Sequence, residues 1–320
     1  MMKNRREFLK TTSLLAAGGL LAGKSGIVSA AEVAAPSMVQ KKVSKVIGLQ
    51  IYSLGRELHE DVAGGLKKVA KMGYSTIELA GYNDGKIGNV SMADFKKMSD
   101  DAGLKITSTH VNPSVREYTK ANKQQIMDFW KKAADDHAKI GVKYLIQPGQ
   151  PATRSTEEVA YVGEIFTEAG KIAKAAGLSF GYHNHDGEFA RVIPGGKEAM
   201  ERLPWGQKPP EGIEIIYDGM LRHTDPSLVF FEMDVYWTVM GRQDPVEYMQ
   251  KYADRIRVLH IKDRAVLGQS GMMNFEMIFK QAYANRISDY FVELEKYSGG
   301  TQFEGVKGCA DYLLKAKFVK

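Results

Sequence analysis

Four glycines, Gly73, Gly103, Gly141 and Gly177, each stand between a helix-like stretch and a strand-like one, in KMGYSTIEL, DAGLKITSTH, KIGVKYLIQ and AAGLSFGYH. They are spaced by 30, 38 and 36 residues. Glycine just past a helix relieves the left-handed strain of that position, so the series punctuates a repeated strand-helix unit. Strand-like runs begin near Val46, Thr76, Lys105, Tyr144, Leu178, Leu228, Ile256 and Tyr290. Between them, apolar residues recur at helical spacing, for example Leu58, Val62, Leu66 and Val69, or Ile126, Phe129, Trp130, Ala133 and Ala134. Ser91, Ser155, Asp244-Pro245 and Asn274 signal helix starts. Eight such units in about 275 residues predict a (β/α)8 TIM barrel over residues 46 to 320. A doubly wound sheet is the rival, but the chain has neither a GxGxxG after an early strand nor a Walker motif.

The first thirty residues do not belong to that barrel. Asn4-Arg5-Arg6-Glu7-Phe8-Leu9-Lys10 is a twin-arginine pattern, followed by a short, weakly apolar run and small residues at Val28-Ser29-Ala30. The run is too short to span a bilayer, so residues 1 to 30 read as a twin-arginine signal peptide and the mature protein as periplasmic, with no stable membrane insertion. Residues 31 to 45 lack a usable period and read as a linker. The leader carries four of the formal +6 net charges, leaving +2. That surplus gives no electrostatic footprint for nucleic acid. Cys309, the one cysteine, lies in a helical pattern and is expected to pack as a small apolar residue. The connection from 187 to 227, rich in Pro and Gly, is longer than one helix needs and is expected to form either a lid or a surface insertion.

Four segments, GYHNHD, FEMDVYW, VLHIKD and VELEKY, run out of apolar strands into His, Asp or Glu. In a parallel barrel alternate residues point inward and the strand C-termini converge, so parity groups Glu232 with Asp234, His260 with Lys262, Glu293 with Glu295, and His183 with His185. A buried carboxylate at the end of a strand needs a cation. A salt bridge from Lys262 would satisfy one; it would not satisfy Glu78, Asp234 and Glu293 together, and His260 joins them. Mixed imidazole and carboxylate donors suit Mn²⁺, with Co²⁺, Zn²⁺ or Fe²⁺ as alternatives, rather than calcium.

Strands ending in Glu78, in THV with His110, in YHNHDGEF, in HTDPSLVFFEMDVYW, in LHIKD followed by a glycine-containing loop and Asn274-Phe275, and in VELE resemble the sugar phosphate isomerase/epimerase family. These are xylose-isomerase-like TIM barrels related to endonuclease IV, inosose dehydratases and ketose 3-epimerases. The resemblance spans residues 46 to 320 and is most specific in the second half. It implies a metal held by Glu, Asp, His and Glu from strands 5 to 8, of which Asp234, His260 and Glu293 match the last three. Strand 5 departs from the pattern, with Gly181 where relatives carry Glu. Either His183 or His185 can substitute, and the reading adopted gives His185 to the metal and His183 to catalysis. It further implies catalytic roles for Glu293 and Lys262, and substrate contacts from Glu78, His110, Tyr52 and Trp237. Tyr236 goes with Tyr52 and Trp237 in a sugar-stacking wall, Glu188 and Glu295 are weaker candidates, and Asn184 is expected to fix a loop or support the site from behind. The implied activity is metal-dependent proton abstraction next to a carbonyl on a non-phosphorylated or oxidised carbohydrate, giving an isomerase or epimerase. The alternatives are a keto-sugar or keto-glycoside lyase or hydratase, a sugar-binding barrel without catalysis, and an endonuclease-IV-like phosphodiesterase, which the weak positive charge disfavours. A homo-oligomer is compatible with the sequence.

Overall fold

In the computed structural model, which describes residues 45 to 201 and 211 to 320, eight parallel strands close into a barrel. They are β1 (Gly48–Gln50), β2 (Thr76–Leu79), β3 (Lys105–His110), β4 (Tyr144–Gln147), β5 (Ser179–His183), β6 (Val229–Asp234), β7 (Ile256–Lys262) and β8 (Asp289–Glu293), each paired with its sequence neighbours, and β8 with β1. Observed strand starts fall within two residues of those predicted. The leader expected at 1 to 30, and the linker up to residue 44, lie outside the described residues. All the elements belong to one compact unit, Val43–Lys320.

The longer helices are α1 (Val62–Lys71), α2 (Met92–Asp101), α3 (Lys123–Lys139), α4 (Thr156–Ala175), α5 (Ile216–His223), α6 (Pro245–Lys251), α7 (Phe275–Ala284) and α8 (Gln302–Lys315). Their starts are capped as the sequence indicates. Ser91, Ser155, Asp244 and Asn274 each accept hydrogen bonds from backbone N–H groups in the first turn, satisfying donors that have no partner inside the helix. Gly73, Gly103, Gly141 and Gly177 all adopt positive φ just past a helix end. On α3, Ile126, Trp130, Ala133, Ala134 and His137 form the buried stripe. Trp130 stacks edge-on against Phe180 of β5, so truncating it to alanine would cost about 3 to 5 kcal/mol. Cys309 is buried in α8. Among the described residues no helix is long and apolar enough to cross a membrane.

The barrel interior is layered. Tyr144, Ile146, Phe230, Val258 and Phe291 plug the lower part with apolar side chains. Above the plug the inward positions turn polar. The pairing register slips at Ile77/Glu78 against β3 and at Phe231/Glu232 against β7, next to two buried carboxylates. Such irregularities re-aim side chains near functional sites. The long β5 to β6 connection carries an antiparallel ribbon, Arg191–Val192 with Glu214–Ile215, before α5 packs on α4. Residues 202 to 210, part of the segment expected to form a lid or insertion, lie outside the described residues.

Candidate active site

The β5, β6, β7 and β8 ends bring His183, Asp234, His260 and Glu293 together, with one ligand atom from each lying within 4.8 Å of the others. All four are buried. His260 Nδ1 faces Asp234 Oδ2 at 4.0 Å and Glu293 Oε2 at 3.4 Å. Asp234 and His260 are register partners on adjacent strands, which explains their meeting. Asp234 Oδ1 accepts the Trp237 N–H and caps the short helix Val235–Met240, whereas its Oδ2 is buried with no hydrogen-bond partner.

The quartet contains His183 in place of the expected His185. β5 ends at His183, and His185, two residues further along the same face, lies beyond the strand and lines the cavity above. Gly181, the position that carries Glu in the resemblance, lies one layer too low, where an added Cβ would meet the Phe230 ring at 2.5 Å. A carboxylate side chain has no room there.

A second layer lies beneath the quartet. His260 Nε2 is 2.6 Å from Glu78 Oε2, and His110 Nε2 is 2.8 Å from Glu232 Oε2, which also contacts His183 Nδ1 at 3.2 Å. Glu232, which parity pointed inward but to which the sequence reading gave no role, therefore binds two histidines. Its signal was its pairing with Asp234 on one strand face. Glu78, expected on substrate, is fully buried among Gln50, Ser108 and His260 and does not line the cavity. Lys262 is also buried, donating to Glu293 Oε2 at 2.9 Å and to Glu295 Oε1 at 2.5 Å. Trp237 lies under that ammonium, 4.7 Å from its ring centre, rather than on the cavity wall. Glu188 is buried against the Tyr182 hydroxyl, away from the quartet. Asn184 fixes the β5 end by accepting the Asp234 N–H.

The cavity above the quartet has a volume of about 570 Å³ and is lined by Tyr52, Tyr82, His110, Asn112, Arg116, His183, His185, Glu293 and Glu295, among others. A second cavity of about 560 Å³ shares Asn112, Arg116, Pro148, Gly149 and His185 with it. Tyr82, Asn112 and Arg116 were not singled out from the sequence, because Tyr82 sits on a two-residue strand, Tyr82–Asn83, and the other two on loops, with no periodicity to mark them. A larger cavity of about 750 Å³ beside Arg191, Glu214 and Tyr252 contains none of the clustered groups, so size does not locate the chemistry.

The electrostatics are those of a site short of positive charge. Burial pushes the Asp234 carboxyl up to about 7, although Lys262 and His260 oppose it. Burial and the charge of Glu78 raise Glu232. Burial also acts on Glu293, but the His260 hydrogen bond and the Lys262 charge outweigh it and hold this carboxyl well below the usual range. Burial, then the His260 and His110 charges, keep His183 neutral, the form that ligates metals. A buried, unpartnered carboxylate oxygen among two imidazoles and a second carboxylate fits a divalent first-row cation such as Mn²⁺, Fe²⁺, Co²⁺ or Zn²⁺.

Comparison with known proteins agrees with the fold. A family model described as xylose isomerase-like TIM barrel matches residues 66–307. A solved sugar phosphate isomerase/epimerase from Parabacteroides distasonis is 59% identical, with a TM-score of 0.80, covering 86% of this chain and 100% of its own. D-psicose 3-epimerase from Clostridium cellulolyticum shares the fold at 15% identity, with a TM-score of 0.63 over 86% of this chain and 99% of its own. An inosose dehydratase from Clostridium tetani is 27% identical over 107 residues, 33% of this chain and 29% of that protein's length. The closed barrel, the polar ring at its C-terminal mouth and these matches together mean that the chain belongs to the xylose isomerase-like TIM barrel family, as a sugar isomerase/epimerase-like member.

Proposed function

We propose that the chain is a metal-dependent isomerase or epimerase that moves a proton at a carbon next to the carbonyl of a non-phosphorylated or oxidised sugar. The observation that carries this reading is the quartet His183, Asp234, His260 and Glu293 at the floor of an open cavity. These four side chains would hold the cation, which when bound polarises a carbonyl and its neighbouring hydroxyl and so acidifies the adjacent C–H. His185, kept neutral chiefly by burial, and Glu293 face the cavity and take and return the proton. Lys262 holds Glu293 and Glu295 in place and balances their charge. Tyr52, Tyr82 and Asn112 offer an aromatic and amide wall to sugar faces and hydroxyls.

The absence of phosphate rests on charge. Among the described residues that line the cavity, Arg116 is the one arginine or lysine, and Glu293 and Glu295 line it too. A phosphoryl group calls for more donors than that. The twin-arginine pattern at Arg5-Arg6 supports a periplasmic site of action.

A lyase or dehydratase using the same first proton transfer is the second reading. The curated relatives named inosose dehydratase favour it, and the adjoining cavity leaves space for a departing group. In that case the electron pair of the broken C–H bond expels a β-substituent, which leaves with a proton. One experiment tests both. Protein loaded with Mn²⁺ is incubated with free, oxidised and keto-sugars in D₂O and followed by NMR. Deuterium appearing beside the carbonyl, absent with Asp234→Asn, supports the first reading, and an unsaturated product with a released fragment supports the second. Neither signal across the panel sinks both.

A further inference from the structure

We infer that Glu78 is a positioning residue that sets which ring nitrogen of His260 is free for the cation. This rests on the quartet being a metal site, as proposed above. His260 presents its two nitrogens to different layers. Nδ1 faces Asp234 and Glu293, while Nε2 lies 2.6 Å from Glu78 Oε2 and 3.3 Å from Glu232 Oε2. A carboxylate can only accept, so Nε2 keeps its hydrogen against Glu78, and it is the hydrogen on Nδ1, shared with Glu293, that a cation displaces to reach a lone pair there.

Glu78 is built for this task and for little else. It sits on β2, across the barrel from β7 and 182 residues away in sequence. Gln50 Nε2 donates to its Oε2 at 2.8 Å and Ser108 Oγ to its Oε1 at 2.6 Å, from the flanking strands and from positions directly in register. Gln50 is itself oriented, because its Oε1 accepts the Tyr52 N–H. The slip in register at Ile77/Glu78 turns the carboxylate inward at the correct height. Glu78 is fully buried and absent from the cavity lining, so it cannot reach substrate. A carboxylate behind a metal-binding histidine fixes the ring and raises its basicity, and its loss weakens binding by roughly 10- to 100-fold.

The same geometry argues against a second ion. His110, His183, Glu232 and His260 also gather ligand atoms within 4.8 Å. The hydrogen on His260 Nε2 takes that nitrogen out of the set, and His110 is held by Glu232 Oε2 at 2.8 Å, although Glu232 Oε1 stays buried without a hydrogen-bond partner.

The test is direct Mn²⁺ binding to metal-free protein by calorimetry, with ¹⁵N-histidine NMR of the Zn²⁺-loaded form. Wild type is expected to bind one ion per chain and to show a hydrogen retained on His260 Nε2. Glu78→Leu should weaken Mn²⁺ binding on the order of 10- to 100-fold and lose that hydrogen-bonded signal. Glu78→Gln, which keeps size and an acceptor, should show a smaller loss and carries the test if the Leu variant does not fold. Unchanged affinity in both folded variants, or two ions in wild type, overturns the inference. If wild type binds no Mn²⁺ at all, it is the metal-site reading that fails, and His260→Ala then changes nothing.

Discussion

Asp234 Oδ2 and His260 Nδ1 stand 4.0 Å apart in the barrel mouth, too far to hydrogen-bond and close enough to share one coordination sphere. The gap, together with the missing partner on Asp234 Oδ2, marks the position where positive charge is wanted.

Asp234→Asn is therefore expected to separate binding from stability. The amide keeps the cap on Trp237 N–H and removes a carboxyl that burial penalises. Without metal, the Asp234→Asn variant should melt no lower than wild type, while added Mn²⁺ should raise the melting temperature of wild type alone. Thermal scans with and without the metal check this, and a metal-dependent rise in the variant would contradict it.

His183 and His185 should behave differently. His183→Ala removes a member of the quartet and should lower Mn²⁺ affinity at least 100-fold, a loss of about 3 kcal/mol. His185→Ala should leave affinity within a few fold and remove turnover. Gly181→Glu, which restores the carboxylate at the strand position expected from the resemblance, should gain no affinity and destabilise the barrel by about 1 to 3 kcal/mol or more, because its Cβ drives into Phe230. Calorimetry and urea melts read the affinities and stabilities, and the D₂O exchange assay reads turnover of His185→Ala.

Lys262→Met should be costly to the fold. Lys262 is fully buried and donates to both Glu293 and Glu295, so its removal strands the buried Glu293 without its ammonium. A loss of about 3 to 5 kcal/mol in urea denaturation is expected for metal-free protein, and bound Mn²⁺ should recover part of it. A variant as stable as wild type would show that Glu293 does not depend on this partner.

His137 predicts acid sensitivity far from the site. Its ring, fully buried under α3, has Nδ1 2.7 Å from the Ala133 carbonyl and Nε2 3.1 Å from Thr109 Oγ1. Burial pushes its pKa down to about 4, only partly offset by the Ala133 carbonyl. The unfolded chain takes up this proton near pH 6.5 and the native chain only near 4, so its contribution is present above 6.5 and is lost as pH falls through that window. The loss amounts to about 3 kcal/mol by pH 4. His137→Gln should flatten the stability profile between about pH 6.5 and 4 in urea melts, and an unchanged slope would refute the assignment.

Much of this molecule follows from local pattern. The glycine spacing, the capping residues and the apolar periodicities are properties of short segments, and they determine eight strand-helix units without reference to distant residues. Strand parity likewise turns Asp234, His260, Glu293 and Glu232 toward the barrel axis. Parity says which way a side chain points but not how high it stands. Height depends on the stagger of the closed sheet and on the register slips at Ile77/Glu78 and Phe231/Glu232. That is why His183 joins the quartet while His185, of the same parity, reaches the cavity above. It is also why Glu78 pairs with a histidine 182 residues away instead of meeting a ligand. Those contacts exist only once the cylinder closes, since closure through β1 and β8 brings β2 within reach of β7 across the interior.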